Sequence, residues 1–408
     1  MKRFLLVCIC IFACISTLMG CDNGSEGKNY DYDLEQINLE VIDGNKEFAL
    51  NIFKELNEKS PTDSIFISPF SISQSLTMTY NGAETTTKEC MEETLGYSGL
   101  DRTIVNDSFL NLTNYLNQID DKIILDIANS IWIGEGEKIR EEFVSSNKTN
   151  FHAEVDTLDF SDPKAVDTMN GWIEKSTNGM IDEMIKAPIP NDIIMYLINA
   201  IYFKGEWSEQ FDPKLTYQDD FTTIDGKVQS VNMMRRKKNT VEYTGNEEYK
   251  AVRLPYGDRK ISMYLLLPEE GVDINELIKN LTIDKLAGIK KTVTKREDIV
   301  LRIPRFKLEY GIKELNDSLI ALGMEEAFGS NSDFTGIREG VCISRVLHKA
   351  VIEVNEEGSK ASAATVVETK DAAAEPLNFI ANRPFVFFIN DDVTDTILFM
   401  GKVVSIEE

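Results

Sequence analysis

Histidine is almost missing: the 408 residues hold two, His152 and His348. A Ser-His-Asp triad would have to use one of them, and no G-x-S-x-G elbow accompanies either. Zinc chemistry is equally starved. Of six cysteines, Cys8, Cys10, Cys14 and Cys21 crowd the start of the chain. Cys90 and Cys342 remain in the body, without C-x-x-C or H-E-x-x-H spacing. A disulfide-built fold is excluded, and whether those two pair is not legible from sequence. Phosphate loops are absent too: "GEGEKI" from Gly134 lacks the third glycine of a dinucleotide loop, and no G-x-x-x-x-G-K-[ST] occurs. Positive charge is in deficit, with 43 Lys plus Arg against 68 Asp plus Glu and a net charge of −25. That balance argues against nucleic-acid binding. The abundant carboxylates could in principle supply a glycosidase pair, but solvated surface explains them as well. His348, in the apolar context "RVLHKAVIEV", reads as a satisfied core histidine. The sequence argues for no enzyme and no cofactor.

What is present begins with "MKRFLLVCICIFACISTLMGC". Lys2 and Arg3 precede an apolar run from Phe4 to Leu18, shorter than the roughly 20 residues a spanning helix needs, so residues 1–20 read as a signal peptide. The ending Leu18-Met19-Gly20-Cys21 resembles a bacterial lipobox, although Met19 is a less usual occupant of its position. Cys21 is then the expected site of lipid attachment, and the protein an exported, cell-surface lipoprotein. An ordinary secretory signal, leaving the protein extracellular, is the alternative. Residues 21–38 are polar at first and read as a tether.

From residue 39 the pattern becomes that of a folded domain reaching residue 408. Phe48, Ile52, Phe53 and Leu56 recur at helical spacing within 41–59. "SIFISPFSISQSLTMTYNGA" reads as a strand, a Ser-Pro turn and a buried helix of small residues. "KIILDIANSIWIGEG" and "DIIMYLINAIYFKGEW" are apolar runs expected to be strands buried on both faces. "YKAVRLPYGDRKISMYLLLPEEG" reads as two strands about a Gly-Asp turn, "DIVLRIPRFKLEY" as a strand pair, and 312–328 as a helix. No repeat and no Pro/Gly/Ser-rich internal linker interrupts the run. One mixed α+β domain with large sheets follows.

Between the strand-like stretches "VLHKAVIEVN" and "RPFVFFIND" lies "EEGSKASAATVVETKDAAAEP", residues 356–376. Unstructured loops of that length are uncommon inside a compact domain. By parity, Ser359, Ala361, Ala363, Thr365, Val367 and Thr369 fall on one face of an extended chain, all small or β-branched. Every charge from 359 to 370 falls on the other. That is the period-2 signature of a half-buried strand with a small inner face, and Gly358 supplies a pivot before it. The segment could be a loop in one state and a strand in another; an Ala-rich linker and a short helix are the bland alternatives.

With those residues in view, the chain resembles the serpins. Glu356, Glu357, Gly358, Ser359, Ala361, Ser362, Ala363, Ala364 and Thr365 fill the family's hinge pattern. "FISPFSIS" with Ser68, Pro69 and Ser71 resembles its shutter turn. "NSIWI" and "WIEKSTNGMIDEMI" carry Asn129, Trp172, Thr177 and Gly179. "INAIYFKGEWSEQF" resembles the breach strand through Asn199, Phe203, Lys204, Gly205, Trp207 and Phe211. The remaining motifs follow in family order to "ILFMGKV".

The resemblance implies an α+β fold of three β-sheets with about nine helices, a metastable native state and an exposed reactive-centre loop over about 356–378. It implies a suicide inhibitor of extracellular serine proteases: the loop is cleaved, the protease is trapped as an acyl-enzyme, and the loop inserts into the central sheet. Ser68, Ser71, Asn199 and His348 correspond to the shutter cluster and Trp207 to the breach. Counting from Gly358 places the scissile bond at Ala372-Ala373, and counting back from "NRPF" places it at Ala373-Ala374. Either alanine suits an elastase-like or subtilisin-like protease; Lys370, which a trypsin-like enzyme would need, ranks third. Lys360 departs from a frequently acidic family position but falls on the outer face. The implied partners are that protease and, through the lipid only, a membrane; the protein is expected to be a monomer. A non-inhibitory serpin acting as a binding or structural protein is the runner-up. A transporter's substrate-binding lipoprotein would need two similar lobes, which the motif order speaks against.

Overall fold

The two apolar runs at 122–136 and 192–207 become neighbouring strands. In the computed structural model, which describes residues 31–136, 138–236, 240–297, 299–358 and 377–407, Ile123–Gly134 pairs antiparallel with Met195–Gly205. Arg345–Val354 lies parallel to Met195–Gly205 on the other side, from Arg345 opposite Tyr196 to Ile352 opposite Phe203. Glu154–Leu158 forms one edge. Phe306–Glu309 and Lys313–Glu314 share the other, against successive parts of Arg345–Val354. Both faces of this six-stranded sheet are covered, which is why its middle strands read as unbroken apolar runs. Leu197, Ile201, Val346 and Ala350 belong to the main core. Ile198, Ala200, Leu347 and Val351 belong to a second cluster with the helix Lys164–Ser176.

A seven-stranded antiparallel sheet runs in the order Ile65–Ile67, Thr396–Val403, Phe385–Asp391, Ile261–Pro268, Tyr249–Pro255, Val241–Gly245 and Thr294–Arg296. The third sheet has Asn378–Ile380, Val300–Pro304, Val228–Arg235 and Tyr217–Thr222. The expected strand pair at 298–310 exists, but Val300–Pro304 and Phe306–Glu309 enter different sheets, with Arg305 between them.

The helices among the described residues are Leu39–Lys59, Pro69–Tyr80, Thr85–Leu95, Arg102–Leu116, Glu141–Phe151, Lys164–Ser176, Ile274–Lys279, Ile283–Thr292 and a ninth in three pieces. The expected α+β architecture of three sheets and about nine helices is thus the observed one. The ninth helix is shorter than the 312–328 expected from the pattern. Lys313–Glu314 is strand, and the helical pieces Asn316–Leu319, Ile320–Met324 and Glu325–Phe328 follow one another, with Gly323 inside the middle piece at φ +111°. Glycine takes that angle without a Cβ penalty, so apolar periodicity continues across a break in the hydrogen-bond ladder. Residues 31–38, read as the end of a tether, lie against Arg102–Leu116. Asn111 Oδ1 accepts from the Asp33 N–H at 2.7 Å, and Ser108 Oγ accepts from the Asn38 N–H at 3.0 Å.

The helix Pro69–Tyr80 is buried along its whole length although half of it is polar. Ser68 caps it by accepting from the Ser71 N–H, and Pro69 fits the first turn, where a missing donor costs little. Inside the helix Thr77 Oγ1 donates to the Ser73 carbonyl at 2.7 Å, and Ser73 Oγ meets the Tyr97 hydroxyl at 3.0 Å. Small side chains, most of them hydrogen-bonded within the fold, let this helix press its N-terminus against the middle of the six-stranded sheet; Ser75 Oγ is buried without a partner among the described residues.

Candidate functional site

Sheet register places Asn129 opposite Asn199 and Asn199 opposite His348, one polar rung across three strands. The His348 ring takes a single orientation here. Its Nε2 accepts from the Ser68 N–H at 3.2 Å, so Nδ1 carries the proton and donates to Asn199 Oδ1 at 2.5 Å. Asn199 Nδ2 donates to Asn129 Oδ1 at 2.5 Å, to the Ser71 carbonyl at 3.1 Å and to Ser71 Oγ. Asn129 Nδ2 donates to Gln74 Oε1, and Gln74 Nε2 to Thr113 Oγ1, both at 2.8 Å. Ser68 Oγ reaches the Leu398 carbonyl at 2.7 Å. The rung thereby ties the six-stranded sheet, the Pro69–Tyr80 helix and the seven-stranded sheet at one buried point. Burial pushes the His348 pKa down to about 3. A second proton would sit on Nε2 and face the Ser68 N–H, donor against donor.

At the end of the same seam the chain leaving Arg345–Val354 is clamped through three successive carbonyls. Trp207 Nε1–H donates to Asn355 at 2.8 Å, the Phe211 N–H to Glu356 at 2.8 Å and the Trp207 N–H to Glu357 at 3.0 Å. The Trp207 ring stacks on Tyr256 with centroids 4.2 Å apart. The buried Glu356 carboxylate takes a forked ion pair from Arg305, with Nη2 at 2.7 Å from Oε1 and Nε at 3.2 Å from Oε2, and the Thr216 hydroxyl at 2.6 Å. Burial alone would raise its pKa; Arg305 and Thr216 outweigh that and hold it below the ordinary carboxylate value. Gly358 has φ +71°, and a Cβ there would lie 2.1 Å from the Gly205 carbonyl oxygen. Only glycine fits so close to the Gly205–Trp207 backbone. A cleft of about 480 Å³ opens here between Phe203 and Lys204, Arg305 and the chain from Asn355 to Gly358.

The structure thus brings Ser68, Ser71, Asn199 and His348 together, and Trp207 together with Glu356, Glu357 and Gly358. Ser359, Ala361, Ser362, Ala363, Ala364 and Thr365 of the hinge pattern, the candidate bonds among Ala372, Ala373 and Ala374, and Cys21 lie outside the described residues. Cys90 and Cys342 are both free thiols. Gln74, Thr113, Arg305 and Thr216 are partners that the sequence did not single out. A signal for Gln74 exists: Ser68, Ser71 and Gln74 recur every third residue on one side of the helix. Arg305 has none, since its partner is 51 residues away.

Comparison with known proteins agrees with this geometry. A family model described as "Serpin (serine protease inhibitor)" matches residues 43–406. The leukocyte elastase inhibitor of Sus scrofa is 34% identical over 373 residues, 88% of this chain and 98% of that protein. The native-state structure of the thermophilic serpin tengpin superposes with TM-score 0.78 at 32% identity, covering 93% of this chain and 96% of that one. Human thyroxine-binding globulin complexed with thyroxine gives TM-score 0.82 at 28% identity, covering 91% and 100%.

The His348 pKa lies below its unfolded value of 6.5. The native state therefore binds fewer protons than the unfolded chain in acid, and stability falls as pH drops below about 6.5 towards 3. Between pH 7.5 and 5 this one group should remove about 2 kcal/mol of stability to denaturant. In His348→Gln that component of the pH dependence should vanish; an unchanged pH slope in the variant would refute the assignment.

Proposed function

Because the chain belongs to the serpin family, as the match across residues 43–406 shows, we propose that it inhibits extracellular serine proteases as a suicide substrate. The observation that carries this reading is the seam itself. Met195–Gly205 and Arg345–Val354 are parallel and directly paired, so a strand returning past Gly358 into the sheet would run antiparallel to both. Residues 359–370 have the small inner face such a strand needs, and at about 3.3 Å per residue they span roughly 40 Å, enough to line the seam. Insertion exchanges one parallel ladder for two antiparallel ones. At about 1 kcal/mol net per hydrogen bond, the gain is of the order of 10 kcal/mol.

The chemistry is the protease's own. Its serine Oγ attacks the carbonyl carbon of Ala372 or Ala373, an ester bond forms, and the peptide bond breaks. The amine of the following alanine leaves with the proton delivered by the protease's general acid. The freed loop then enters the seam before water reaches the ester, carrying the acylated protease with it. For that, the rung at Asn199–His348 must open and the clamp around Glu356 must let the sheet part. Until cleavage those contacts supply the barrier, so the loop-exposed state persists kinetically. An alanine at the attacked position suits elastase-like or subtilisin-like enzymes, and the likeness to leukocyte elastase inhibitors agrees with that choice. We further propose that residues 1–20 are removed and that Cys21 is acylated, holding the inhibitor at the cell surface; two or more acyl chains anchor stably where one does not.

Incubation with an elastase-like or subtilisin-like protease should give a complex that survives boiling in SDS. The released C-terminal fragment should begin at Ala373 or Ala374 by mass. The cleaved protein should melt about ten degrees or more above the intact one. Cleavage by every such protease without complex or heat-stability gain would mark a non-inhibitory binding protein. In a bacterial host, the full chain should incorporate labelled fatty acid and partition with membranes, and Cys21→Ser should lose both; unlabelled, soluble wild-type protein would instead mean a simple secretory signal.

A further inference from the structure

Beside the clamp, against Phe211, lies a second feature. Arg236 is 6% exposed, and among the described residues its buried Nε and Nη2 nitrogens have no hydrogen-bond partner. A buried guanidinium left in that condition is costly, because each unmet donor forfeits its hydration. The side chain lines a cavity of about 140 Å³ shared with Arg253, Arg259, Lys295, Glu209 and Glu242. Glu242 is already engaged by Arg253 at 2.6 Å and by Arg259, and Asp392 binds Arg253 at 2.9 Å from outside this lining. In the lining itself four cations thus face two carboxylates, Glu209 and Glu242, with Asp392 a third just outside, in a chain whose net charge is −25. The Arg236 head also lies over the Phe211 ring, 4.7 Å from its centroid, a face that satisfies no N–H.

We propose that this cavity is a binding site for one small oxyanion group, a phosphate or a carboxylate, held by the Arg236 fork with Arg259 and Lys295 around it. A planar guanidinium presents two parallel donors that match such a group, and the volume admits a single group with little else. Burial lowers the Arg236 pKa to about 10, with Glu209 opposing and Arg259 adding to the shift; an anion in contact would reverse that penalty. Anything bound to the native state alone raises its stability by mass action. Binding can therefore be read whether or not the chain inhibits a protease.

Thermal unfolding of the full chain in sodium phosphate, sodium acetate and sodium chloride at matched ionic strength tests the site. Phosphate or acetate should raise the midpoint by about 2 °C or more over chloride, saturating with concentration. The stronger of the two names the oxyanion class. Arg236→Gln should abolish the increment. Lys295→Ser changes an exposed residue and should fold as wild type, with the half-effect concentration raised about threefold; it decides the matter if Arg236→Gln folds poorly. Equal increments in all three proteins, or none in wild type because water fills the cavity, would overturn the proposal.

Discussion

The hydrogen bond from His348 Nδ1 to Asn199 Oδ1 closes the seam on which the rest of this molecule depends. Two central strands meet there in parallel, the less stable of the two ladder types, and the chain continues from one of them directly into the loop that could separate them. A polar rung in an otherwise apolar sheet is an expensive arrangement unless every member is satisfied. Here it is satisfied by partners on two neighbouring elements: Ser68 and Ser71 at the head of a buried helix with Gln74 one turn on, and Asn129 on the next strand. Opening the seam means breaking that network together, which makes it a barrier as well as a contribution to stability.

The clamp near Glu356 gives the seam its direction. Three carbonyls in succession are held by Trp207 and Phe211, and the Glu356 carboxylate is forked by Arg305. The loop therefore begins from a fixed point at Gly358. At its far end the chain is fixed again, where Asn378–Ile380 pairs parallel with Val300–Pro304. A segment anchored at both ends cannot line the seam along its length without being cut or stripped from the third sheet. In this reading the peptide bond to be cleaved is the last restraint on a more stable arrangement, and that is what makes the loop usable as bait.

Much of this was legible in the sequence where it depended on pattern. The runs at 122–136 and 192–207 announced strands covered on both faces, and Ser68, Asn199 and His348 could be placed together once the hinge motif suggested the family. What was not legible depended on encounters between distant residues. Arg305 lies in a short break between two strands of different sheets, and nothing local marks it as the partner of Glu356. Gln74 was hidden in a helix whose serines and threonines made polarity look unremarkable. The helix expected over 312–328 starts only at Asn316, because Lys313–Glu314 pairs as strand with Arg345–Val354, and it is kinked at Gly323, across which the apolar spacing continues. Residues 359–370, whose alternation suggested a strand, lie outside the described residues.

In the proposed mechanism the sheet opens at the seam between Met195–Gly205 and Arg345–Val354. Ile201 and Ala350 are direct partners across it, at a separation a disulfide spans once both are replaced by cysteine. The measurement is the melting temperature of Ile201→Cys/Ala350→Cys protein after loop cleavage, oxidised and then reduced. The account predicts that the oxidised form is cut but gains no heat stability, and that reduction restores the gain. An oxidised protein that gains as much as the reduced one would contradict it.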